Sequence, residues 1–228
     1  MKTIRLLAGL VLAAALYSAV PAKADTVSAN IGTQNFTSGT KITTVGFLAA
    51  TLLQPAPFNG FCGTDILGNC SASWTFNYAV PVGDTITGAT LSLGIYDLDS
   101  AAAGNQIASF TLNGTDDLTT TINTVSEALD GSGSPNSFYD VLTIVIPGAD
   151  LVDLAGGSAT FSLKTQAPGL GILGNTLFNG VGLDFSSLSL TVTPGTTTPP
   201  PPIPEPSSLA LCLAGVAALG LAKVLLHR

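Results

Sequence analysis

Between Asp25 and Thr193 the apolar residues recur at every second position in short runs, and glycine or proline stops most of the runs. A period of two is that of a strand with one buried face, whereas a helix needs a spacing of three to four. Trp74, Phe76, Tyr78 and Val80 alternate with Thr75, Asn77 and Ala79. Ala89, Leu91, Leu93 and Ile95 repeat the pattern, then Phe110 and Leu112, ended by Asn113-Gly114. Leu142, Ile144 and Ile146 stop at Pro147-Gly148, and Ala159, Phe161 and Leu163 stop before Pro168-Gly169. Val181, Leu183 and Phe185 lead, through an expected kink at Ser186-Ser187, to Leu188, Leu190 and Val192. No long helical period intervenes, and only Ile146–Leu154 could hold a short turn of helix. About eight short strands with polar turns predict an all-β domain, an antiparallel, jelly-roll-like β-sandwich whose two inner faces make the core. Threonine and serine dominate the outward positions, as suits a solvated sheet face.

The two ends have a different character. Lys2 and Arg5 precede an apolar stretch from Leu6 to Val20, about 15 residues, followed by Ala22-Lys23-Ala24. This is the layout of a signal peptide over 1–24, too short for a membrane span, with cleavage after Ala24 and Asp25 as the first mature residue. The chain is therefore expected to be exported into an oxidising compartment. Past the domain, 25–193, lies a linker over 194–203 rich in proline and threonine. Its run Pro199–Pro202 favours an extended polyproline spacer of about 3.1 Å per residue. The last segment, 204–228, reads Pro204-Glu205-Pro206, then an apolar run from Ser207 to Leu226 broken only by Lys223, then His227-Arg228. As a helix, 207–226 would be roughly 30 Å long, enough to cross a bilayer core. Lys223, His227 and Arg228 would hold its end on the cytoplasmic side, Lys223 by snorkelling to the interface.

This three-part tail resembles the PEP-CTERM sorting domain of Gram-negative bacteria, with Pro204, Glu205 and Pro206 as the motif. The resemblance covers about the last tenth of the chain, and the basic end is thinner than the family's arginine-rich one. It implies that an exosortase, a membrane protease-transpeptidase, recognises and processes the tail. It also implies a transient anchor in the inner membrane, followed by release to the outer surface or into an exopolysaccharide or biofilm matrix.

Composition narrows the chemistry of the domain. From Asp25 to Ile203 there are thirteen acidic residues and only two basic ones, Lys41 and Lys164, which leaves a net charge of −11. Such a surface repels nucleic acid and anionic polymers unless cations intervene. The same stretch has no Arg and no His, which excludes a Ser-His-Asp or Cys-His arrangement there. Cys62 and Cys70 bracket a seven-residue loop and, in an exported chain, are expected to form a disulfide. Cys212 lies within the apolar tail. No cofactor is demanded by the sequence, and calcium is the one with a hint. Asp97 and Asp99 stand two positions apart at the end of a strand, with Asp116-Asp117 and Asp140 as residues that could join them. A solvated acidic turn explains the same pattern. Trp74, Tyr78, Tyr96 and Tyr139 could stack on a sugar, but Trp74 and Tyr78 share a face with Phe76 and Val80, which places them in the core. Three readings follow: a non-catalytic surface or matrix protein, a carbohydrate-binding sandwich that could require calcium, and a secreted hydrolase. The first is the leading expectation.

Overall fold

In the computed structural model the described residues are 24–99, 102, 104–129, 138–171 and 173–195. The chain divides into two compact units, Met1–Pro194 and Gly195–Arg228, and all described residues but Gly195 belong to the first. The expected signal peptide up to residue 23, with Ala22, the linker beyond Gly195, and the tail with Pro204, Glu205, Pro206, Lys223, His227 and Arg228 lie outside the described residues, whereas Ala24 is described. Among the described residues no helix is long and apolar enough to cross a membrane.

Among the described residues twelve strands form: β1 (Asp25–Gly32), β2 (Thr40–Lys41), β3 (Gly60–Cys62), β4 (Ser71–Asn77), β5 (Thr85–Tyr96), β6 (Ile107–Leu112), β7 (Asp116–Asp117), β8 (Phe138–Val145), β9 (Ser158–Thr165), β10 (Gly169–Gly171), β11 (Gly174–Thr176) and β12 (Val181–Thr193). Every pairing is antiparallel. One sheet has the order β1-β12-β5-β8-β2, with β3 also on β12, and the other has the order β4-β9-β6-β7. Among the eight strands left when β2, β3 and the β10-β11 ribbon are set aside, the first pairs with the eighth, the second with the seventh, the third with the sixth and the fourth with the fifth. That nesting is the jelly-roll succession.

The alternation read in the sequence is what fills the space between the sheets. Trp74 and Phe76 of β4 lie opposite Phe161 and Ala159 of β9, and Phe110 and Leu112 of β6 lie opposite Leu163 and Phe161. These side chains are buried with Leu91, Leu93 and Ile95 of β5, Leu142 and Ile144 of β8, and Leu183, Leu188, Leu190 and Val192 of β12. Trp74 and Tyr78 are thus on the core side, Trp74 stacked 6.2 Å from Phe161 and Tyr78 donating its hydroxyl to Leu154 O at 2.7 Å.

Strand β12 is continuous through Ser186-Ser187, and its register against β5 shifts before that point, between Leu183 and Phe185, and again after it, between Thr191 and Val192. Leu183 pairs with Ile95 and Phe185 with Gly94, so Asp184 is the extra residue of a bulge. A bulge shifts the alternation by one, which keeps both Leu183 and Leu188 on the core side. It also buries the Asp184 carboxylate completely. The carboxylate accepts from Asn35 N at 2.9 Å, Asn35 Nδ2 at 2.7 Å, Gln54 Nε2 at 3.0 Å and Tyr139 OH at 2.9 Å. Burial, with the Asp184 charge second, drives the Tyr139 hydroxyl pKa upward.

Two helices were not foreseen. Helix α1 (Thr44–Thr51) is capped by Thr43, whose Oγ1 accepts from Gly46 N at 3.1 Å. It buries Phe47 in a second cluster with Tyr96 and Tyr139, packed by Phe36 and Ile42. Helix α2 (Thr119–Leu129) sends Ile122 into the main core, and its Asn123 side chain bonds both the N–H and the C=O of Ile107. The turn expected within Ile146–Leu154 is a 3₁₀ helix, Gly148–Leu154.

Candidate functional site

The end of the sandwich where β5 stops and β12 starts gathers the acidic loops. Cys62 closes β3 and is joined to Cys70, which precedes β4, with their Cα atoms 4.7 Å apart. The loop between them folds on itself through Thr64 and Gly68, with Leu67 N donating to Thr64 Oγ1 at 2.9 Å. Its Asp65 turns inward and accepts from Gly180 N at 2.9 Å. Gly180 lies so close to the Thr64 backbone that a Cβ would collide with it. A single glycine thereby lets the disulfide loop dock on the chain entering β12.

Thr44, Phe61, Gly63, Thr64, Asp65, Asp97 and Gly180 line a pocket of about 280 Å³ at this end. Phe61 is 38% exposed. Its ring packs 5.4 Å from Phe47 and edge-on at 5.8 Å from Tyr96, so it is fixed from behind and open in front. An aromatic face, two carboxylates and two threonines around a shallow concavity suit a small polyhydroxylated ligand, with C–H faces on the ring and hydroxyls on the carboxylates. A larger pocket of about 440 Å³ lies toward the other end of β5, lined by Val80, Asp84, Thr85, Ile86, Gly148, Leu151, Val152 and Ala155. It is mostly aliphatic and carries no aromatic ring.

Asp97 and Asp99 do not sit on a strand as expected. β5 ends at Tyr96, and both aspartates take left-handed backbone angles, φ 61° and 57°. The alternation that would put both carboxylates on one side is therefore lost. Asp97 is half-buried and lines the pocket, whereas Asp99 is only 4% exposed and lies outside its lining. Asp99 Oδ2 accepts from Leu170 N at 2.8 Å, and Oδ1 has no partner. Burial pushes this carboxyl up to about 7, opposed by the Leu170 hydrogen bond and reinforced by the charges of Asp97 and Asp65.

The other acids expected to join Asp97 and Asp99 go elsewhere. Asp140 accepts from Ser38 Oγ and Gly39 N. Asp117 accepts from Thr119 N at the start of α2, and its pKa is lowered by the Thr119 side chain first and by this backbone bond second. Asp116 faces Asp153, whose pKa it raises. The acid that does accompany Asp97 and Asp99 is Asp65. Among the described residues no three His, Cys, Asp or Glu side chains converge as a metal-binding group.

The aromatic candidates are likewise redistributed. Tyr96 and Tyr139 are wholly buried and Trp74 is in the core, so none of the three offers a platform. The exposed ring is Phe61, which lies in a run, Phe58 to Cys62, with no alternation to single it out. Its proximity to Cys62 was the one available signal. Asp25, the expected first mature residue, opens β1 opposite Val192.

No protein-family model and no curated protein matches the chain. Some solved structures do. One is "CBM35 from Cellvibrio japonicus Abf62", 16% identical, covering 75% of this chain and 88% of that one, with a TM-score of 0.29. Another is "Xyl-CBM35 in complex with glucuronic acid containing disaccharide", 14% identical, covering 78% and 94%, with a TM-score of 0.25. At these TM-scores neither alignment equates the two folds.

Proposed function

We propose that this chain is an exported, non-catalytic β-sandwich that binds carbohydrate through the pocket beside the Cys62–Cys70 loop. The observation that carries the reading is the Phe61 ring, fixed from behind by Phe47 and Tyr96 and bordering a pocket with Asp65, Asp97, Thr44 and Thr64. Two carboxylates in the lining favour neutral or amino sugars over uronic acids, because an acidic sugar would meet like charge. Asp99, whose carboxyl is pushed up to about 7, is not among the residues that line the pocket. A glycan array probed with the full chain tests the reading. Binding to neutral or amino sugars, without product formation, supports it; retention of no glycan at all contradicts it.

The delivery of such a module is proposed from the tail. Pro204-Glu205-Pro206 ahead of the apolar run 207–226 supports sorting by an exosortase, with transient residence in the inner membrane and then the outer surface or the extracellular matrix. The two prolines lack amide donors and favour an extended backbone, which suits recognition by a protease. The chain carrying Glu205→Ala is expected to be exported but retained at full length in the inner membrane. Normal removal of the tail from that variant would contradict the sorting reading.

A further inference from the structure

The turn that follows β5 rests on a polar floor whose hydrogen bonds leave two oxygens over. Gln106 Nε2 donates to the carbonyls of Ala102 and Gly104, at 3.2 and 2.8 Å. That orients Gln106 Oε1 toward Asn179 Nδ2, which donates to it at 2.8 Å and to Leu98 O at 3.1 Å. With both its amide hydrogens used in this way, the Asn179 side chain has its orientation set by the network. Its Oδ1 then faces no donor, although the residue is wholly buried. Asn179 is thereby tied to the carbonyl immediately before Asp99, whose own Oδ1 is also buried and without a partner.

The Asp99 carboxylate lacks a donor at Oδ1. Buried polar atoms are paired as a rule, and an exception calls for a missing partner. Both unpaired atoms are oxygens, and the neighbouring charges, Asp97 and Asp65, are both negative. A positive ion would supply what the two oxygens lack and would be attracted by the two neighbouring charges.

We propose that this floor is a calcium site in which Asp99 Oδ1 is the anionic ligand and Asn179 Oδ1 a neutral one. Asp97 and Asp65 add attraction from nearby. Since no three acidic side chains converge here, carbonyl and water oxygens complete the shell. Such a mixed set of six to eight oxygens suits calcium, whereas magnesium demands a tighter octahedron and keeps more of its water. Few charged ligands place the affinity with extracellular modules, about 10⁻⁴ to 10⁻³ M. The site borders the proposed sugar pocket, which Asp97 and Asp65 also line, and its test uses calcium alone.

Calorimetric titration of the purified full chain with calcium chloride, and thermal melts with and without calcium, test the site. One calcium per chain is expected, with a higher melting temperature in calcium. At a free concentration a hundred times the Kd, the folding equilibrium constant should rise about a hundredfold. Asp99→Asn should weaken calcium binding at least tenfold, while Asp153→Asn, at the separate acidic pair, should leave it unchanged. Absence of calcium binding to the wild type at millimolar concentration overturns the proposal, whether or not the variants fold; a water in place of the ion would give that result. Wild-type affinity in a folded Asp99→Asn protein also overturns it.

Discussion

Replacing Asp99 by Asn should stabilise the protein at alkaline pH in calcium-free buffer. The sign follows from the raised pKa, about 7 against an ordinary 3.8. Between those values the folded chain keeps a proton that the unfolded chain has released. Stability therefore falls as the pH rises through that window and levels off above it. At about 1.4 kcal/mol per pH unit, the distance from 3.8 to about 7 makes the full cost of ionising Asp99 in the fold a little over 4 kcal/mol. Asn is neutral at every pH, so the variant escapes this cost. Its oxygen can still accept from Leu170 N, but its amide hydrogens inherit the unpaired position of Oδ1, a loss of about 1–3 kcal/mol. The net expectation is a gain of about 1–3 kcal/mol at pH 8 and a loss of about 1–3 kcal/mol at pH 4. Urea unfolding of both proteins in chelator, followed by circular dichroism, gives the difference at each pH and cancels the titration of every other group. A variant-minus-wild-type difference that stays constant from pH 4 to pH 8 would refute the reasoning, because Asp99 would then carry the same charge folded and unfolded.

Opening the Cys62–Cys70 disulfide by Cys62→Ala with Cys70→Ala should cost about 2–3 kcal/mol in the chain-entropy account, measured by the midpoint of urea unfolding. Gly180→Ala should be destabilising, since its methyl meets the Thr64 backbone, whereas Gly148→Ala, which faces open space, should change the melting temperature little. Tyr139→Phe removes a hydroxyl that donates to the buried Asp184 carboxylate at 2.9 Å, and should cost about 1.5–3 kcal/mol in the same unfolding assay.

The sandwich was legible because a period of two with a buried face leaves little choice, and Leu91, Leu93, Phe161 and Leu163 lie where that period puts them. The helices were not, for two different reasons. Residues Thr44–Thr51 are apolar on most sides, so no helical stripe stands out, and tertiary burial of Phe47 secures the segment. Residues Thr119–Leu129 open with three threonines, which favour strands on propensity, and the helix rests on Leu118, Ile122 and Val125 packing inward. The bulge at Asp184 was read two residues late, because the apolar spacing records that a shift has occurred but not which residue is extra. Adjacency in sequence also misplaced the acidic cluster. Asp97 and Asp99 looked like strand partners, yet positive φ angles separate them, and Asp65 reaches them from the disulfide loop. The paired cysteines were readable as a local staple; that the staple would hold Phe61 and Asp65 at a pocket depends on its docking against Gly180, a contact more than 100 residues away in the chain.

The central claim is that Phe61 is the stacking surface of a carbohydrate site. Isothermal titration of wild type and Phe61→Ala with the best neutral or amino oligosaccharide from the array, in calcium-saturated and calcium-free buffer, tests it most directly. Losing the ring should weaken binding at least tenfold, about 1.4 kcal/mol, in both buffers, with a lowered melting temperature because the ring also packs on Phe47 and Tyr96. Equal affinity of the two folded proteins would contradict the claim and move any sugar site elsewhere on the sandwich.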